Sequence, residues 1–263
     1  MSDLDRFGGV LAAGVRSVWP KLAVAVAGID GALFGGTALA THLQHRQSFD
    51  LDYMAYEHFD GEALVGRLAA AAEDMDVQVA ADSQLRAVVD GVVVEVFTAP
   101  HPSDDPTRIT PIAAPVVIDG LAVASLADLL ASKLDVLLWR AKLRDFIDIA
   151  AIDRSELLRI EDGLRLHTER YGTELRSGVL DEIVDLLEDP GVLASDPIFA
   201  DEAASTLSYL ADRAPALREY LGAERAVSGG TPPSRPHGDA RGPDPGAAAD
   251  LAARAGDRQP PTV

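Results

Sequence analysis

The stretch from Phe34 to Tyr53, FGGTALATHLQHRQSFDLDY, decides how the rest of the chain is read. It opens on Gly35-Gly36-Thr37, just ahead of a helix expected over 37–46. It closes on Asp50-Leu51-Asp52, on a strand expected over 49–56. Gly35 and Gly36 carry no side chain, so their backbone can approach a phosphate closely. Thr37 is suited to cap the helix that follows, and a helix N-terminus favours anions. Asp50 and Asp52 are two residues apart, which on a strand puts both on one face. Adjacent carboxylates repel unless a cation lies between them, and magnesium takes a few carboxylates together with phosphate oxygens. Either motif alone is ordinarily structural: a turn with a cap, or a solvated strand edge. Their succession within so short a stretch points to phosphate and metal chemistry.

Outward from this stretch, strand and helix patterns alternate up to about residue 120 and helical patterns follow. A first helix is expected over 7–18, stopped by Pro20. The apolar run Leu22 to Ala27 reads equally as a short strand or a helical turn. An Ala- and Leu-rich face predicts a helix over 61–74. Two β-rich runs flank Asp90-Gly91, a pair that signals a tight hairpin. A strand over 115–119 is expected to end the sheet. Helices are then expected at about 125–138, 143–152, 155–171, 174–188 and 200–220. The expected organisation is an α+β domain with a mixed sheet (1–120), a helical domain (121–223) and a disordered tail (224–263). That tail is rich in Gly, Pro and Ala and has too few large apolar side chains to form a core.

Composition narrows the function. The chain has 263 residues, is 48% hydrophobic and carries a formal charge of −19. A broad basic nucleic-acid surface is therefore excluded, although a local basic groove is not. With no cysteine there are no disulfides, thiolate metal sites or cysteine nucleophiles. No run approaches the roughly 18 apolar residues of a membrane span, and the acidic start lacks the positive charge of a signal peptide. A cytoplasmic protein with no membrane partner is the expectation. Only three of the 23 basic residues are lysines: Lys21, Lys133 and Lys142. Lys133 falls among Leu129, Leu130 and Leu134 on an apolar helix, whereas Lys21 and Lys142 read as surface. His42 and His45, three apart, offer only a weak zinc reading.

Glycine-glycine, a helix-length gap and Asp-x-Asp resemble the signature of nucleotidyltransferases of the polymerase-beta-like fold. The fuller string, with its GGT-A-L helix, His-Arg pair, Ser and Asp-x-Asp, is similar to the AbiEii/AbiGii-type nucleotidyltransferase toxins. The second half of that family pattern is matched by Lys133, Arg140, Arg144, Asp145 and Asp148 in KLDVLLWRAKLRDFIDI. On one continuous helix, residues 133, 140 and 144 would fall within about 40° of each other.

The resemblance implies that Gly35, Gly36 and Thr37 contact the triphosphate, and that Asp50 and Asp52 hold magnesium or manganese. It further implies that Lys133 binds the triphosphate while Asp145 acts as a base or positions the lysine. Glu95, a lone charge in VVVEVF, is the candidate third metal ligand; alternatively it faces solvent from an edge strand. Arg46 either reaches phosphate or pairs with Asp50 or Asp52, and His45 is a ligand or a structural group. The implied activity is transfer of a nucleoside monophosphate from an NTP to a hydroxyl, expected to be the 3′ end of tRNA, with a cognate antitoxin as partner. Arg140, Arg144, Arg154 and Arg159 are the available lining for an RNA groove. A protein or small-molecule acceptor, and a non-catalytic nucleotide-binding role, remain alternatives.

Overall fold

A computed structural model describes residues 3–98, 111–172, 178–190 and 200–227. A short 3-10 turn, Asp3–Phe7, leads into α1 (Ala13–Ala25). There follow β1 (Gly31–Phe34), α2 (Gly35–Leu43), β2 (Asp50–Ala55), α3 (Gly61–Ala69), β3 (Met75–Ala81), β4 (Gln84–Val89) and β5 (Val92–Thr98). After β6 (Val116–Ile118) and β7 (Leu121–Val123) come α4 (Leu126–Trp139), α5 (Leu143–Arg154), α6 (Ile160–Tyr171), α7 (Val179–Glu188) and α8 (Ala200–Val227). The fold class is α+β. Residues Met1–Thr231 form one unit, so the helical half packs directly on the αβ half, α4 and α5 both touching α2. The first four residues of the expected tail, 224–227, are instead the end of α8, and from residue 228 the tail lies outside the described residues.

The sheet is mixed, in the order β3-β4-β5-β2-β1-β7-β6. β2 is central, antiparallel to β1 and parallel to β5. Leu51, Tyr53, Val92, Val94 and Val96 point to the side that α1 and α3 cover, and all are buried. Asp50, Asp52 and Glu95 occupy the other face, as strand alternation requires, and are less covered.

Pro20 does not end the first helix, as its missing N–H suggested; it lies inside α1. A proline there costs about 3 kcal/mol in an exposed helix. Here Val18, Trp19, Leu22 and Ala25 are buried against the sheet, and the Trp19 indole donates to the Ile118 carbonyl at 3.0 Å. Tertiary burial offsets the local defect, and the Leu22 to Ala27 run continues that helix rather than forming a strand. The 61–74 helix ends earlier, at Ala69, because β3 begins at Met75. Residues 155–159 are a turn, and the helix expected there starts at Ile160.

Asp90 and Gly91 both have positive φ, +47° and +81°, as the two central residues of a tight hairpin turn. Asp119-Gly120 repeats the device between β6 and β7. Lys21 is not a free surface residue: it donates to Asp90 at 2.7 Å and fastens α1 to the hairpin. With the backbone donors of Asp74 and Glu73, this bond holds the Asp90 carboxyl below the usual range.

Candidate active site

β1 delivers the chain into α2 at Gly35. That residue has φ +69°, and a Cβ there would collide with the Asp52 carboxylate. Gly36 is equally constrained, since a Cβ would strike the Arg46 guanidinium and approach Ser48 Oγ to 3.0 Å. The two glycines thus let the start of α2 sit directly against Asp52. No side chain caps this helix, so its first-turn N–H groups are the donors that a phosphate would use.

Thr37 does not act as the cap. It lies within the first turn, 1% exposed, and its hydroxyl donates to the Asp50 carbonyl at 2.5 Å. It braces the strand that carries the aspartates, so any contact it makes with phosphate is through its backbone. Ser48, the serine of the family string, donates to Asp50 Oδ1 at 3.2 Å.

Asp50 and Asp52 face the same way, and the Asp52 carboxyl is pushed up to about 6, above the ordinary range for aspartate. Desolvation is the largest cause and the Asp50 charge adds to it; Lys133, Arg144 and Arg140 act in the opposite sense. A carboxylate pair that is costly to keep ionised without a cation fits a divalent metal. Glu95 is the register partner of Asp52 on β5 and shares its face. Its carboxylate is, however, engaged by Arg86. Among the described residues no three His, Asp or Glu already converge as a metal site.

The second half of the site is a buried ion network. Lys133 of α4 is 7% exposed and reaches Asp145 Oδ1 at 2.8 Å and Asp148 Oδ2 at 2.7 Å. Asp145 and Asp148 are three apart on α5, which places them on one helix face. Asp148, fully buried, also accepts from His45 Nε2 at 2.8 Å and from Arg46 through Nε at 2.6 Å and NH2 at 2.9 Å. Burial alone would raise the Asp148 pKa, but Lys133, His45 and Arg46 hold it far below the carboxylate range. Burial would likewise lower Lys133, and the two aspartates raise it instead. The lysine is therefore a fixed cation. Asp145 Oδ2 is buried with no hydrogen-bond partner.

Arg46 therefore pairs with Asp148, a partner the local pattern did not offer, and its bidentate grip joins the α2–β2 loop to α5. His45 is a structural donor in the same cluster, and His42 bonds the Ala124 carbonyl at 2.8 Å, so the pair makes no zinc site. The cationic stripe expected on one helix is not formed that way: α4 ends at Trp139, Arg140 caps it, and α5 begins at Leu143. Arg140 and Arg144 nevertheless both act on Asp52 across the turn. Arg154 and Arg159 are engaged elsewhere. Arg154 lies over the Tyr209 ring at 4.2 Å and bonds the Ser205 carbonyl, while Arg159 donates to the Asp153 carbonyl and to Glu156.

A model of the AbiEii family, described as nucleotidyl transferase AbiEii toxin of type IV toxin–antitoxin systems, matches residues 25–226. The chain belongs to the AbiEii family. It is a nucleotidyltransferase of α+β architecture. Among solved structures, JHP933 from Helicobacter pylori aligns at 17% identity over 84% of this chain and 98% of its own, with a TM-score of 0.48. MenT4, a nucleotidyltransferase toxin from Mycobacterium tuberculosis, aligns at 18% identity over 86% and 96%, with a TM-score of 0.38. ANT(2″)-Ia in complex with adenylyl-2″-tobramycin aligns at 17% identity over 59% and 95%, with a TM-score of 0.40. Among curated proteins none matches the sequence. No helix among the described residues is long and apolar enough to cross a membrane.

Proposed function

We propose that this AbiEii-family nucleotidyltransferase is a magnesium-dependent toxin that transfers a nucleoside monophosphate from an NTP to the 3′-terminal hydroxyl of tRNA and so blocks translation. The observation that carries the chemistry is the placement of the Asp50–Asp52 pair against Gly35, beside a Lys133 ammonium locked by two buried aspartates. A cognate antitoxin, as the family's toxin–antitoxin character suggests, and a cytoplasmic site of action belong to the same reading.

In the proposed reaction the acceptor oxygen bonds to the α-phosphorus while the bond from that phosphorus to the bridging oxygen of the β-phosphate breaks, releasing pyrophosphate. Asp50 and Asp52 would hold magnesium or manganese, and the metal when bound neutralises phosphate charge and aligns the displacement. The backbone donors of Gly35, Gly36 and Thr37 hold the triphosphate at the start of α2. Lys133 supplies a preorganised positive charge to phosphate oxygens. Asp145 fixes Lys133 through Oδ1, which leaves Oδ2 to accept the proton of the acceptor hydroxyl. Arg46 acts indirectly, by holding Asp148.

Glu95 is proposed as an auxiliary metal ligand. Its pairing with Arg86 is about one-third exposed, and such pairs contribute only about 0–1 kcal/mol, so releasing Glu95 is cheap. Glu95→Gln is expected to raise the magnesium concentration for half-maximal rate severalfold at unchanged stability. An unaltered magnesium titration would remove Glu95 from the metal site.

The −19 charge favours a second reading, in which the acceptor is a protein or a small molecule. Incubation with magnesium, each labelled NTP in turn and total tRNA decides between them. Label in tRNA, with an acceptor KM that climbs steeply with salt, is expected for an RNA substrate. Labelling of protein or small-molecule hydroxyls alone, with little salt dependence, would overturn the tRNA assignment.

A further inference from the structure

The two tryptophans are in opposite situations. Trp19 is fully buried, whereas Trp139 is 76% exposed at the C-terminal end of α4. Trp139 lies six residues beyond Lys133, about 9 Å along the helix axis and about 120° round it, at the end of α4 where the chain turns into α5. Its neighbour Arg140 caps α4, and Arg144 immediately precedes Asp145, the partner of Lys133, on α5; neither arginine forms an ion pair among the described residues. Arg86, Arg170, Arg213, Arg218 and Arg225, by contrast, all form ion pairs. An exposed indole and two arginines without an ion pair, set around the α4–α5 turn between the bonded Lys133 and Asp145, offer what a single-stranded nucleic-acid end requires: a flat apolar face for a base and cations for its phosphates.

We propose that Trp139 is the stacking face for an unpaired nucleobase at the acceptor's 3′ end, with Arg140 and Arg144 holding the adjoining phosphates. The proposal rests on the nucleotidyl-transfer reading above and adds the feature of this chain that makes the acceptor a nucleic acid. The incoming NTP is set by Gly35, Gly36 and the buried Lys133, whereas the exposed rim is where a second substrate enters. Base–aromatic stacking of this kind accounts for roughly tenfold or more in affinity.

The test uses the full chain and an RNA hairpin with a short single-stranded 3′ overhang, compared with the same hairpin made blunt. Trp139→Ala is expected to raise the KM for the overhang RNA roughly tenfold or more, with the KM for NTP and kcat at saturating RNA unchanged; Trp139→Phe recovers most of the loss. Because Trp19 is inaccessible, the quencher-accessible fluorescence of the wild type reports Trp139. That signal should fall on adding overhang RNA, and not on adding blunt RNA or NTP with magnesium. Quenching by NTP alone would reassign the indole to the incoming nucleotide and overturn the proposal. An unchanged RNA KM in Trp139→Ala would also overturn it while leaving nucleotidyl transfer intact. If the wild type transfers nothing to RNA, the acceptor reading fails, and the fluorescence titration still decides whether Trp139 binds an unpaired base.

Discussion

Asp148→Ala is expected to destabilise the protein by about 3–5 kcal/mol and to reduce nucleotidyl transfer by about a hundredfold or more. The reason is that Asp148 neutralises three donors at once. Without it, Lys133 keeps only Asp145, and the Arg46 guanidinium loses its bidentate partner while still buried. Breaking a buried pair from one side leaves an uncompensated charge, which is far worse than never having built the pair. The catalytic loss follows because Lys133 is then free to swing and Arg46 no longer fastens the α2–β2 loop to α5. Urea unfolding checks the first part as a lower midpoint at unchanged slope. The pH dependence has a definite sign. A carboxylate whose folded pKa is depressed contributes stability that is present above the unfolded value, near 3.9, and is lost as pH falls toward the folded value. Wild type and Asp148→Asn should therefore converge in stability as the solution is acidified below about pH 4. A constant difference down to strong acid would show that Asp148 acts by packing alone.

Asp52→Asn is expected to do the opposite to stability while removing activity. The Asp52 pKa is raised to about 6 by desolvation and by Asp50. A carboxyl with a raised folded pKa contributes stability that is fully present below its unfolded value and lost as pH rises through the folded one. In the metal-free protein above pH 6, asparagine removes the charge that the site disfavours. After allowance for partial exposure, the gain is about 1–2 kcal/mol. Transfer should fall by about a thousandfold because the charge that organises the metal is gone. Thermal melts with and without magnesium separate the two effects. Magnesium should raise the melting temperature of wild type and leave the variant unmoved. A variant less stable than metal-free wild type at neutral pH would mean that Asp52 has a structural role instead.

Much of this was legible in the residues themselves. Gly35-Gly36 and Asp50-x-Asp52 are local patterns whose geometry follows from a turn and a strand period, and the structure brings them together. The Asp90-Gly91 hairpin is legible for the same reason. What could not be read is what depends on partners distant in sequence. Arg46 and Asp148 are separated by 102 residues, and nothing local to Arg46 favours that carboxylate over Asp50. Thr37 looked like a cap because it stands near a helix start, but the helix begins two residues earlier and the hydroxyl turns to β2. β1 and β7 are only four and three residues long and form strands through pairing with neighbours, not through their own pattern. Pro20 obeyed a local rule that burial of Trp19 and Leu22 overrode.

The most direct measurement of the central claim compares NTP labelled on the α-phosphorus with NTP labelled on the γ-phosphorus, in the presence of magnesium and tRNA, for wild type and Asp50→Ala. The account predicts α-label in the tRNA and γ-label in released pyrophosphate for wild type, and neither for Asp50→Ala. Incorporation of the γ-label, or equal incorporation of the α-label by Asp50→Ala, would contradict it.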